Sequence, residues 1–136
     1  KAAERHPGRI AIRTGFNNPL AHRIMAGADI FIIPSRYEPC GLTQMYALKY
    51  GTVPVVRATG GLNDTIEQYN KQRATGNGFK FRPYSSEALV TAVKQAVELF
   101  RDKKIWRRLM KSCMKYDFSW DRSAVQYINL YRSLIH

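Results

Sequence analysis

An acid, a cysteine and a glycine stand close together in the segment PSRYEPCGLTQ, residues 34–44. Glu38 can accept hydrogen bonds from sugar hydroxyls or stabilise developing positive charge. Gly41 and Leu42 open a predicted helix, whose first N–H groups lack intrahelical partners and form a site that suits phosphate. A carboxylate beside a phosphate site would suit a sugar-nucleotide diphosphate. The simpler alternative is a strand–helix turn with a surface glutamate.

Two other side chains near predicted strand ends could contact a ligand. Cys40 precedes the same helix, where a thiol pKa can be lowered. Nucleophilic catalysis would need a base, and none of the three histidines has a recognisable spacing to it. We therefore interpret Cys40 as a packed or ligand-lining thiol. Phe16 could stack on a base or, alternatively, pack in the core. No HExxH, Walker A or zinc-ligand spacing occurs, and we expect no metal site.

Strands and helices alternate along the chain, which predicts how these residues are positioned. We predict strands at 9–14, 30–33, 54–56 and 79–82, and residues 30–33 should form a central strand because they are apolar on both sides. We predict helices at 18–27, with Asn18 as the N-cap, at 42–50 and from the Gly-Gly turn to about 69, followed by three amphipathic helices. This alternation predicts an α/β fold with a Rossmann-like, mostly parallel sheet flanked by helices. Because such domains usually contain about six strands, we assign residues 1–136 to a single, partial domain with C-terminal helices from about residue 86.

The formal net charge of +12 favours an anionic partner, which could be a nucleic acid, a phosphorylated ligand or an acidic second domain. The densest group of cations falls on the polar face of a predicted helix, where a solvated face is the simpler interpretation. No interleaving of aromatic and basic residues accompanies it, so we expect no nucleic-acid partner and keep a basic nucleic-acid-binding module as a remote alternative. No apolar run approaches the roughly 18 residues that cross a membrane, so we expect no membrane partner.

The segments EPCGLTQ (38–44) and TGGLNDT (59–65) closely resemble the signature motifs of bacterial glycogen synthases and plastid starch synthases, and the resemblance extends from about Gly15 to the end of the chain. It implies a GT-B glycosyltransferase and matches the chain to the C-terminal part of the donor-binding domain. It also implies that glucose passes from ADP-glucose to the non-reducing end of an α-1,4-glucan, with retention and without a cofactor. A GT-B enzyme that uses a UDP- or GDP-sugar is the alternative.

The resemblance implies roles for individual residues. Glu38 matches the acid that lies against the donor glucose and supports the transition state. Phe16 matches the aromatic residue that stacks on adenine, and Thr43 matches a hydroxyl near the distal phosphate. Tyr46 stands where related glycosyltransferases often carry a second acid, so only Glu38 is assigned as catalytic. The other predicted donor-binding positions are Cys40, Gly41, Leu42, Thr59, Gly60 and Gly61.

In the family that the chain resembles, the Arg and Lys that clamp the diphosphate, and the N-terminal domain with its acceptor contacts, lie upstream of the matched segment. Stabilisation of a leaving diphosphate depends on such cations. We therefore predict that the chain by itself has no synthase activity and works with a missing N-terminal GT-B domain. The resemblance implies a cytoplasmic location in a bacterium or a plastid location in a plant.

Overall fold

A computed structural model describes residues 1–135 and shows a parallel three-stranded sheet surrounded by helices. The strands, in their order across the sheet, are β1 (Ile30–Ile33), β2 (Val53–Arg57) and β3 (Phe79–Phe81). The helices of the described residues are α1 (Ala2–Arg5), α2 (Asn18–Gly27), α3 (Thr43–Tyr50), α4 (Gly60–Thr65), α5 (Ser86–Arg101), α6 (Lys103–Cys113) and α7 (Trp120–Leu134). The sheet and its flanking helices confirm the predicted α/β class.

The core forms around the central strand β2, because its apolar residues are buried on both faces as a covered parallel strand requires. Helix α5 packs against β2 and β3, and α6 packs against α5. The largest fully buried side chains include Trp106 and Leu109 of α6, Leu48 of α3, and Leu62 and Ile66 in and after α4. None of the helices within residues 1–135 combines the length and the apolar character needed to span a bilayer.

Local chemistry fixes most helix ends where the sequence predicts them. Gly51 adopts a left-handed conformation with φ of 80° and ends α3, as a C-terminal glycine does. The three C-terminal helices begin at side-chain caps supplied by Ser85, Asp102 and Ser119. At the start of α2 the cap is Asn17 rather than the predicted Asn18, and its Oδ1 accepts a hydrogen bond from Leu20 N at 2.9 Å.

Two predictions about the sheet are wrong. Residues 9–14 form no strand, and Ile12 is 65% exposed. β1 is an edge strand rather than a central one, with Ile32 45% exposed. Both errors have one cause: a strand needs a partner for its N–H and C=O groups, and no described residue pairs with the edge of β1 that faces away from β2.

The prediction for the segment after β2 is also partly wrong. Gly60 and Gly61 are the first two residues of α4 rather than a preceding turn, and the helix ends at Thr65 instead of near residue 69. The reason lies in the buried Asn77, whose Oδ1 accepts from Glu67 N at 2.7 Å and whose Nδ2 donates to Thr65 O at 3.0 Å. These bonds hold the chain in an extended conformation beyond α4.

Candidate functional site

The loop that follows β1, residues 34–42, is called the Glu38 loop and lies directly against the first turn of α4. Gly61 N donates a hydrogen bond to Glu38 O at 3.1 Å. A Cβ atom added to Gly60 would overlap the carbonyl oxygen of Glu38, and one added to Gly61 would overlap the carbonyl oxygen of Cys40. The two glycines are therefore required by a close approach of two backbones, and the segments 38–44 and 59–65 pack as one unit.

A fully buried amide from α3 connects the same two segments. Gln44 Nε2 donates to Cys40 O at 3.3 Å and to Thr65 Oγ1 at 3.0 Å, and Thr65 Oγ1 in turn donates to Gly61 O at 2.6 Å. Gln44 has no exposed surface, so solvent does not compete for these bonds. The carbonyl at the end of the loop is thus anchored to both α3 and α4.

The beginning of the loop is held by the last residue of β2. Arg57 Nη1 donates to Ser35 O at 3.3 Å and also to Arg36 O. The guanidinium carbon of Arg57 lies 5.4 Å from the ring centre of Tyr84, which follows β3. The side chain of Arg57 therefore joins the loops that follow all three strands.

The loop is fixed through its main chain, whereas its functional side chains remain available. Carbonyl groups at positions 35, 36, 38 and 40 accept the anchoring hydrogen bonds. The half-buried carboxylate of Glu38 has neither a hydrogen-bond nor an ion-pair partner among residues 1–135. The side chain of Cys40 is exposed. This arrangement holds a carboxylate in a defined place while leaving its oxygens free for a ligand.

The start of α3 lacks the side-chain cap that most other helices have. Its N-cap is Leu42, whose apolar side chain cannot accept a hydrogen bond, and both Leu42 and Thr43 are exposed. By contrast, every described helix of ten or more residues begins with a side chain that accepts such a bond. The free N–H groups of α3 carry partial positive charge beside the Glu38 loop and can bind an anion. Gly41, buried with φ of +72°, lets the backbone turn into this helix.

The remaining predicted donor-binding residues lie in two places. Thr59 is the half-buried N-cap of α4, and its side chain makes no capping bond. Phe16 is 96% exposed and precedes α2. The alternative interpretation of Phe16 as a core residue is therefore wrong. No described contact joins Phe16 to the Glu38 loop, so its role as an adenine-stacking residue stays a prediction.

Sequence reasoning missed Arg57 and Gln44. Arg57 carried one usable signal, since a cation directly after an apolar strand must find a partner at the sheet edge. Gln44 carried none, because its position in a short helix does not reveal that it is buried.

The other cysteine, Cys113, lies away from this loop, and burial raises the pKa of its thiol to about 12. No group of three metal-binding side chains occurs within residues 1–135.

A parallel sheet flanked by helices, with an uncapped helix start and a free carboxylate beyond its strand ends, defines an α/β domain of the class whose ligands bind at the carboxyl ends of the strands. The family model for "Glycosyl transferases group 1" matches residues 3–109, and the chain belongs to that family. It is similar to the glycogen synthases of Anaeromyxobacter sp. (strain K), at 56% identity over 134 residues, and of Geobacillus stearothermophilus, at 47% over 133 residues. Each match covers 98% of this chain, but only 28% and 27% of those proteins, respectively.

Among solved structures, the chain resembles the catalytic domain of Starch Synthase IV from Arabidopsis thaliana, which was solved with ADP and acarbose bound. The TM-score is 0.84 at 37% identity, over 97% of this chain and 28% of that one. A sucrose-phosphate synthase from Thermosynechococcus elongatus has the same fold, with a TM-score of 0.69 at 24% identity over 98% of this chain and 33% of that one. These similarities confirm the predicted family resemblance and the GT-B type of fold.

Proposed function

We propose that the chain supplies part of the donor site of a retaining glucosyltransferase. This enzyme would transfer glucose from ADP-glucose to the non-reducing end of an α-1,4-glucan, without a cofactor. The observation that carries the proposal is the position of the Glu38 loop. The carbonyl of Glu38 is bound by Gly61 N in the glycine pair, and the loop leads into the uncapped start of α3. The similarity to glycogen synthases and to an ADP-bound starch synthase supports the glucan and the adenine nucleotide.

The start of α3 would receive the diphosphate. Its N–H groups have no side-chain acceptor and can donate to phosphate oxygens, and Gly41, with φ of +72°, turns the backbone into this helix start. The exposed hydroxyl of Thr43 can donate a further hydrogen bond. These donors would stabilise the negative charge that develops on the leaving diphosphate.

Glu38 would face the glucose. Its unpartnered carboxylate can accept hydrogen bonds from sugar hydroxyls and stabilise the positive charge that develops at the anomeric carbon. Cys40, Leu42 and Thr59 would border the sugar and the phosphates. The exposed ring of Phe16 is free to stack on the adenine.

This half of a donor site would not be sufficient for catalysis. The chain spans 28% of the length of the Anaeromyxobacter relative. We propose that an upstream domain supplies the cations that clamp the diphosphate and the groups that bind the acceptor glucan. Such an enzyme would work in the cytoplasm of a bacterium or in a plastid of a plant.

The experiment uses a hybrid enzyme in which residues 1–136 replace the matching segment of the glycogen synthase of Anaeromyxobacter sp. (strain K). Transfer of labelled glucose to glycogen is measured with ADP-, UDP- and GDP-glucose. We expect ADP-glucose to be preferred and Glu38→Gln to lower kcat by about 100-fold or more, because a neutral amide cannot stabilise the positive charge. Glu98→Gln, on the exposed surface of α5, is the matched control and should retain the parental rate.

Each result bears on a separate part of the proposal. Preference for UDP- or GDP-glucose would favour the alternative donors, and near-normal turnover of Glu38→Gln would refute the role of Glu38. Glucose transfer by the isolated chain would contradict its predicted inactivity. Salt-dependent binding of DNA or RNA by the chain would instead support the remote alternative of a nucleic-acid-binding module.

A further inference from the structure

Arg57 occupies the carboxyl end of the central strand and contacts the loops on both sides of it. One of its amino groups, Nη1, donates to the carbonyl oxygens of Ser35 and Arg36, the two residues at the start of the Glu38 loop. We propose that Arg57 is a positioning residue that holds Glu38 in its reactive place, an inference that rests on the function proposed above. Arg57 would act through the loop and not by touching the substrate.

The surroundings of Arg57 differ from those of an ordinary surface arginine. The side chain is half-buried, and no carboxylate in the described part of the chain forms an ion pair with it. Its partners are instead main-chain carbonyls and the ring of Tyr84 at 5.4 Å. A planar guanidinium suits this arrangement, because its hydrogens leave in fixed directions and its face can stack on an aromatic ring. A lysine at the same position would keep the charge but not the fixed geometry.

The other anchors of the loop indicate what loss of Arg57 would do. Gly61 N still holds Glu38 O, and Gln44 still holds Cys40 O, so the second half of the loop stays attached. The first half loses both of its anchoring bonds. Glu38 would then be held from one side only, while the start of α3 is unchanged. We therefore expect a loss of turnover with little change in binding of the donor nucleotide.

The first measurement is independent of catalysis. Backbone order parameters of the amides at positions 35–38 are measured by NMR in the 136-residue chain. We expect values near 0.85, typical of a rigid backbone, in the parent and a fall below about 0.6 in Arg57→Ala. Arg57→Lys should give intermediate values, and it serves as the second variant if Arg57→Ala does not fold. The matched control is Arg82→Ala, which removes an exposed cation next to β3 and should change nothing.

The second measurement uses the hybrid enzyme. Because displacement of a catalytic group by about 1 Å can cost 100-fold, we expect Arg57→Ala to lower kcat by roughly 10- to 100-fold. The KM for ADP-glucose should stay within about threefold of the parental value, since the phosphate-binding N–H groups are untouched. Arg57→Lys should recover part of kcat, and Arg82→Ala should keep the parental kcat and KM.

The two measurements separate this inference from the proposed function. A parental hybrid that does not use ADP-glucose would overturn the function, whereas the order parameters would still decide whether Arg57 holds the loop. Parental order parameters in Arg57→Ala would overturn the positioning role, even if kcat fell. A rise in KM with unchanged kcat would overturn it as well, because Arg57 would then bind the donor directly.

Discussion

Gly61→Ala tests most directly whether the Glu38 loop depends on its packing against α4. A Cβ on Gly61 would lie 2.5 Å from the carbonyl carbon and 2.8 Å from the Cα of Cys40, and it would overlap the carbonyl oxygen. All three are backbone atoms, so no rotation of a side chain can relieve the overlap. Since ordinary contacts begin at 3.4 Å, the loop must move away by about 1 Å at the carbonyl carbon of Cys40, and by about 1.5 Å at its oxygen, to admit the methyl group.

This displacement should affect stability and catalysis to different degrees. Overpacking of this kind typically costs about 1–3 kcal/mol, which leaves a domain with about 5–15 kcal/mol of stability folded at 25 °C. The melting temperature should fall by roughly 3–12 °C. Catalysis is more sensitive, because a misplacement of about 1 Å can cost 100-fold in rate. We therefore expect Gly61→Ala to be a folded protein with about 1% of the parental kcat.

The assay measures kcat of the hybrid enzyme with ADP-glucose, and circular dichroism gives the melting temperature of the 136-residue chain. Gly27→Ala is the matched control, because a Cβ on Gly27 would meet nothing within 4 Å and the residue is the last of α2. It should leave kcat unchanged and either preserve stability or raise it by up to about 1 kcal/mol. A folded Gly61→Ala enzyme that keeps a third or more of the parental kcat would refute the reasoning.

Two further predictions concern stability and can be checked by urea unfolding. Gln44→Glu replaces a fully buried amide with an unpaired acid, whose folded-state pKa should lie above its unfolded value of about 4.3. The free energy of unfolding should therefore fall as the pH rises above about 4.3, and the loss should reach about 3 kcal/mol at pH 7. The control variant Gln44→Leu should show no such pH dependence. A similar loss in both variants at pH 7 would contradict the argument. At alkaline pH, burial raises the pKa of Cys113 from 9.0 to about 12, and burial together with a hydrogen bond to Glu67 raises that of Tyr116 from 10.0 to about 12. The unfolded chain releases both protons first, so the free energy of unfolding should fall as the pH rises from about 9 towards 12, and less steeply in Cys113→Ala. An equal slope in that variant would exclude a contribution from the thiol.

The features that the sequence predicts well are those that depend on residues close together along the chain. Gly51 ends α3 because glycine accepts a left-handed conformation without strain. Ser85 begins α5 because its hydroxyl satisfies an N–H group three residues later. The apolar run of β2 predicts a buried strand because no other environment suits four consecutive apolar residues there.

The features that the sequence does not predict depend on partners distant along the chain. The alternating pattern of residues 9–14 indicates a strand, yet a strand forms only where another strand supplies hydrogen bonds. The end of α4 at Thr65 depends on Asn77, which lies 12 residues away. In the candidate site, the types of Glu38 and Gly41 suggest chemistry by themselves. The anchoring role of Arg57 emerges only when β1 and β2 are adjacent.

The close approach of the two motifs explains why their residue types belong together. A loop that presents a carboxylate must satisfy its own carbonyl groups, because unpaired buried carbonyls destabilise the fold. Here the partners are an amide N–H of the glycine pair and the side chains of Gln44 and Arg57, so no side chain of the loop is used for anchoring. The side chain of Glu38 is therefore left free to bind a ligand. Gly60 and Gly61 are needed because a Cβ atom on either would push the Glu38 loop away from α4. Gly61→Ala and Arg57→Ala both disturb the anchoring of this loop, so their combined effect on kcat should differ from the product of the single effects.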